Sequence, residues 1–160
     1  MSAEKLYSEI FDEFEATTSK QEKIAILRKY DHPKFRNFLA MAFNPNCVFD
    51  VELPPYRPAP EPAGLNFTYL DMEMSKMYRF IKDHPKRTTD ISAEKKKELL
   101  TVILESLHAD EATLLCGLIK KDLDIKFLTP KLVKEAYPDI NLEDWLWKLQ
   151  LLLQQLVVST

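Results

Sequence analysis

Apolar residues recur three and four positions apart along most of the chain, the spacing that places them on one face of an α-helix. Leu6, Ile10, Phe11 and Phe14 share such a face, with Ser2 in the N-cap position. The next segment opens on Ser19-Lys20-Gln21-Glu22, a capping box in which hydroxyl and carboxylate each take a backbone N–H of the other residue, and turns Ile24, Leu27 and Tyr30 inward. Asp31-His32-Pro33 stops it and restarts the chain, because proline is tolerated in a helix's first turn. Phe35, Phe38, Leu39, Ala42 and Phe43 follow on one face. Further along, Thr68 and Asp71 mark a start, with Leu70, Met74, Met77, Tyr78 and Ile81 inward and His84-Pro85 as the stop. Ser92 caps a helix striped by Leu99, Leu100, Ile103, Leu104 and Leu107, and another begins near Asp110 with Leu114, Leu115, Leu118 and Ile119. Thr129-Pro130 opens a short helix ending at Pro138.

Residues 44–66 break the rhythm. Six prolines forbid a helix there, and VFDVEL reads as a short strand or extended edge inside an ordered crossing loop. At the other end, Asn141 caps a segment where Trp145, Leu146, Leu149, Leu152, Leu153 and Leu156 form one wide apolar face. So broad a face is either packed on the core or turned toward a partner, which makes 141–160 a candidate surface for a protein partner or self-association. The expected fold class is all-α: residues 1–160 as a single compact helical domain of six to eight helices with one Pro-rich crossing loop.

Composition narrows the chemistry. A hydrophobic share of 46% suffices for an ordinary core. With only two glycines, neither a P-loop nor a dinucleotide-type phosphate loop can be built. The three histidines lie in no cluster with acids or thiols, and Cys47 and Cys116 lack metal-type spacing, so no metal or cofactor is expected and two thiols in a reducing cytosol are. No signal peptide or membrane span is expected, since WLWKLQLLLQQLVV is too short and contains Lys148. The reading is a cytoplasmic protein that is not an enzyme.

The net charge of -3 hides three basic zones. Thr17–Asn37 holds Lys20, Lys23, Arg28, Lys29, Lys34 and Arg36; a second zone runs from Lys76 to Lys97; a third holds Lys120, Lys121, Lys126, Lys131 and Lys134. Lys95–Lys97 reads as a solvated helix face. Lys20, Lys23 and Lys131 instead fall in the first turns of helices, where the dipole disfavours a cation by roughly 0.3–1 kcal/mol. An anion at the helix N-terminus removes that cost. Thr17, Thr18, Ser19 and Thr129 add hydroxyls at the same places, and hydroxyl, free N–H and lysine together suit a phosphate-backbone contact.

Three stretches in these zones, TTSKQEKIAILRKY (17–30), FTYLDMEMSKMYRFI (67–81) and LLCGLIKKDLDIKFLTPKLVKEAYPDI (114–140), resemble in order and spacing the N-terminal helical DNA-binding domain of the ATP-dependent DNA ligases of T-even-type phages. Lys121-Asp122-Leu123 and Tyr137-Pro138 match that domain's signature, with Lys121 where arginine is usual and Ile125-Lys126 where a turn glycine is usual. The resemblance implies a clasp on duplex or nicked DNA through backbone contacts by Thr18, Ser19, Lys20, Lys23, Lys121, Lys126, Thr129 and Lys131. Six to ten such phosphate contacts would lower affinity about 10³–10⁵-fold between 50 and 200 mM salt. The nucleophile motif Lys-x-Asp-Gly is missing, so the resemblance implies a phage-type accessory protein acting in the host cytoplasm without ligating. The alternative is a protein-interaction module that kept a ligase-like helical fold and lost DNA binding, which the negative net charge, the absent turn glycine and the apolar C-terminal segment favour.

Overall fold

The computed structural model describes residues 5–142, except 64, 85 and 87–90. Among them are seven α-helices: α1 Tyr7–Glu15, α2 Lys20–Lys29, α3 Pro33–Phe43, α4 Leu70–Glu73, α5 Ala93–Ser106, α6 Ala109–Lys120 and α7 Pro130–Ala136. A 3₁₀-helix, Met74–Phe80, continues α4. The chain is all-α, in a single compact helical domain, and no strand occurs among the described residues. Local chemistry accounts for most helix starts. Ser19, Ser92 and Thr129 hydroxyls accept the N–H of Glu22, Lys95 and Leu132, while the imidazoles of His32 and His108 accept those of Lys34 and Asp110. Pro33 and Pro130 occupy first helical positions, where the missing N–H costs nothing.

The core gathers the predicted faces. Tyr7 meets Phe35 and Phe38 edge-on, with ring centroids 5.1 and 5.2 Å apart, and Phe11 tilts against the same pair, joining α1 to α3. Leu100, Leu104, Leu107, Leu115 and Leu118 close the interior from α5 and α6. Within it lies Glu111, 1% exposed. One carboxylate oxygen accepts the Leu70 N–H at 2.9 Å and the other the Tyr7 N–H at 3.1 Å, so the first turn of α6 holds the starts of α1 and α4 together.

Several expectations are corrected. The first helix starts at Tyr7, where Glu9 accepts the Leu6 N–H at 2.9 Å; Ser2 lies outside the described residues. From Met74 to Phe80 the 67–81 segment is 3₁₀, so its inward face there repeats every three residues and buries Met74, Met77 and Phe80, leaving Tyr78 only half-buried. Thr68 caps nothing and donates to Glu73 at 3.0 Å. Lys96 is buried, bonding the Asp50 carbonyl at 3.0 Å and the Asp50 carboxylate at 3.3 Å. Of the two readings of VFDVEL, the extended edge is the one found: Asp50 N–H to Phe80 O (2.8 Å) and Lys82 N–H to Val48 O (2.7 Å) pin it along the 3₁₀ segment. The described residues of the crossing loop form no helix, as expected. Of the candidate partner segment 141–160, positions 143–160 lie outside the described residues.

Candidate functional site

Helix α2 packs on both α1 and α7. Three side chains lock α2 to α7. Tyr137 donates its phenol to the Leu27 carbonyl. Arg28 donates to the carbonyls of Ala136 and Glu135, each at 3.2 Å. Lys20 pairs with the Glu135 carboxylate at 2.8 Å. Between the starts of the two helices opens a cavity of about 610 Å³. Thr17, Thr18, Ser19, Lys20 and Lys23 line one side, and Phe127, Thr129, Lys131, Leu132 and Glu135 the other. Two stretches more than a hundred positions apart, both singled out by hydroxyls and lysines, thus meet at one cleft.

Thr18, Ser19, Lys20, Lys23, Thr129 and Lys131 belong to the cleft, but they are not equivalent. Ser19 and Thr129 each accept the N–H of the third residue of their helix, at 3.1 Å. The predicted capping box forms only in half. Glu22 Oε1 accepts the hydroxyls of Ser19 (3.0 Å) and Thr18 (3.1 Å). Lys20 and Lys131 are exposed. Lys23 is 7% exposed, with its ammonium donating to the Phe14 carbonyl (3.0 Å), the Thr17 carbonyl (3.2 Å) and the Thr17 hydroxyl (3.0 Å). It satisfies the end of α1 and faces the cleft only from behind.

Lys121 and Lys126 are not part of the cavity wall. Lys121 donates to the carbonyls of Met41 and Asn44, the latter at 2.8 Å, so it closes the C-terminus of α3. Burial holds its pKa below the ordinary lysine value. Both carbonyls draw its ammonium inward, away from the cleft. Lys126 is exposed beside the cleft, and its backbone N–H donates to Glu15 at 3.2 Å.

Phe127 and Glu135 escaped the sequence reading. The tight turn that lacks glycine still enters the left-handed region, at Asp124 (φ 54°) and Phe127 (φ 66°) on either side of Ile125-Lys126. Aspartate tolerates that conformation, whereas for a bulky side chain it is an outlier costing roughly 1–3 kcal/mol. The Phe127 ring is 71% exposed, and Lys23 Nζ lies 5.3 Å from its centroid. Nothing in the local sequence signals this placement.

A family model matches residues 10–125, most of the chain. The chain belongs to DUF6433, a family of unknown function. The DUF6433 match takes in the α2 side of the cleft and ends just before Phe127 and α7. No curated protein and no solved structure matches the chain. Among the described residues of this DUF6433 protein, no group of His, Cys, Asp and Glu could hold a metal ion, and no helix is long and apolar enough to cross a membrane. Its thiols are free. Burial pushes Cys47 up to about 11, and Cys116 donates to Tyr56 at 3.7 Å; a thiol so raised is a poor nucleophile.

Proposed function

We propose that this protein is a non-catalytic accessory protein that holds the phosphate backbone of duplex or nicked DNA, with little sequence preference, in the cleft between α2 and α7. The observation that carries the reading is the convergence of Ser19 and Thr129, each capping a helix start, on one cavity with Lys20 and Lys131. The resemblance to the helical domain of phage DNA ligases, which rests on the same stretches, points the same way and makes the host cytoplasm the expected place of action. Lys20 is tied to Glu135, but an exposed ion pair contributes only about 0–1 kcal/mol, so a phosphate can take Glu135's place at little cost.

With Lys23 and Lys121 bonded to carbonyls, the available cations are Lys20, Lys126 and Lys131. About three phosphate contacts give a fall in affinity of roughly 40-fold between 50 and 200 mM salt, far below the dependence expected from the full residue set. Fluorescence anisotropy with nicked and intact duplexes at several salt concentrations checks this. Lys131→Glu weakens binding and flattens the salt slope, whereas Glu135→Gln strengthens binding by releasing Lys20. Absence of binding at low salt, or indifference to Lys20→Glu and Lys131→Glu together, ends the reading.

A separate observation favours a protein-interaction module. Leu65, Phe67, Tyr69 and Met72 form an exposed apolar run, with Phe67 92% exposed. On that reading the same titrations stay flat at every salt concentration.

A further inference from the structure

The exposed ring at the cleft mouth has no use in a pure backbone clasp. Phe127 contributes little to the core, being 71% exposed, yet it stands in a left-handed conformation that a bulky side chain rarely adopts. The turn carrying it is held firmly. Leu128 N–H bonds the Ile125 carbonyl at 3.2 Å, Lys126 N–H bonds Glu15 at 3.2 Å, and Leu128 is buried. The backbone that carries the ring is therefore held in place, with the Lys23 ammonium 5.3 Å from the ring centroid and Lys126 preceding it. Lys20 and Lys131 stand on the walls of the same cavity, whose volume of about 610 Å³ is that of a small-ligand pocket.

An exposed aromatic ring beside cations is the arrangement that binds nucleic acid through a free base face, since every base has a π-face to stack while its phosphate meets the lysines. Intact duplex offers no such face along its length, because each base is covered by its neighbours. We infer that the cleft takes an unpaired nucleotide, its base stacked on Phe127 and its phosphate toward Lys20 and Lys131, so that the protein prefers gapped or overhanging DNA to intact duplex. This inference rests on the DNA-binding reading and narrows its substrate class.

The test compares anisotropy for an intact duplex, the same duplex with a short single-stranded overhang, and an oligothymidylate, using the full chain. A 2-aminopurine in the overhang reports stacking by its quenching. Phe127→Gly removes the ring and suits the left-handed backbone, so the fold survives, which thermal melting verifies; Phe127→Trp keeps a stacking surface. The expected result is tighter binding of the overhang duplex than of intact duplex. Phe127→Gly then loses about 5- to 150-fold on the overhang duplex with little change on intact duplex, and Phe127→Trp retains both preference and quenching. Equal affinity for all three DNAs, or an equal loss on intact and overhang duplex in Phe127→Gly, overturns the stacking inference and leaves the backbone clasp standing. No binding of any DNA at low salt overturns both.

Discussion

Lys121 occupies φ 63° at the end of α6 and sends its ammonium to carbonyls at the end of α3, the farther of them 80 positions away. Lys23 does the same for α1, and Arg28 for α7. In the sequence these three residues look like any other members of a basic zone, because neither burial nor a carbonyl partner leaves a local trace. The consequence is measurable. Lys121→Met keeps the aliphatic stem but takes the Lys121 donor from the Met41 carbonyl and leaves the Asn44 carbonyl with the Cys47 N–H, which costs about 1–3 kcal/mol. Thermal melting should show that loss, while anisotropy shows DNA affinity nearly unchanged, since Lys121 lies off the cleft. The reverse pattern, wild-type stability with lost affinity, returns Lys121 to the binding surface.

At the scale of helices, the scarcity of glycine explains why so many cations are turned inward. Helix C-termini commonly end in a left-handed glycine that closes the last carbonyls. With only two glycines in the chain, lysine and arginine side chains take over that task for α1, α3 and α7, a placement the helix dipole also favours. Gly117 serves a different need. After α6 the chain folds back so that the Asp122 N–H bonds the Gly117 carbonyl at 2.8 Å, and a Cβ on Gly117 would stand 2.8 Å from the Asp122 carbonyl oxygen and 3.1 Å from Leu123 Cα. Both neighbours are backbone and cannot swing aside. Gly117→Ala gains about 1 kcal/mol of helix propensity, yet overpacking of this kind costs about 1–3 kcal/mol. A lower melting temperature is the expected outcome, and an unchanged or higher one shows that the turn yields. Helix starts, by contrast, were legible: Ser19, Ser92 and Thr129 act within three residues of themselves. The 67–81 segment was legible as helical but not in its period, because the switch to three residues per turn depends on what it packs against.

For the molecule as a whole, Glu111 is the point where separate helices depend on one ionisation. Its carboxylate accepts N–H groups from the starts of α1 and α4, which favours the charge, but burial outweighs those bonds and raises its pKa above 4.5. The folded state therefore holds the proton more tightly than the unfolded chain. The stability linked to this group is present below about pH 4.5 and is lost as pH rises through the folded value. Glu111→Gln cannot titrate. Thermal melts from pH 4 to pH 7 should show the wild type losing ground relative to Glu111→Gln as pH rises. A difference that grows in favour of the wild type shows that the backbone donors outweigh burial.

The sequence by itself determined the all-α class, most helix starts and the Pro-rich crossing loop. Those features depend on spacing and caps within a few residues, and such short-range chemistry is written along the chain. It also marked the two hydroxyl-and-lysine stretches. Only the tertiary structure decided that 17–23 and 127–135 share one cleft, that Lys23 and Lys121 are turned to carbonyls, that Glu135 holds Lys20, and that Phe127 stands exposed at the cavity mouth. The physical reason is common to all four. Whether a charge meets solvent, a carbonyl or a carboxylate depends on which distant segment packs beside it, and hydrophobic burial makes that choice without regard to sequence distance.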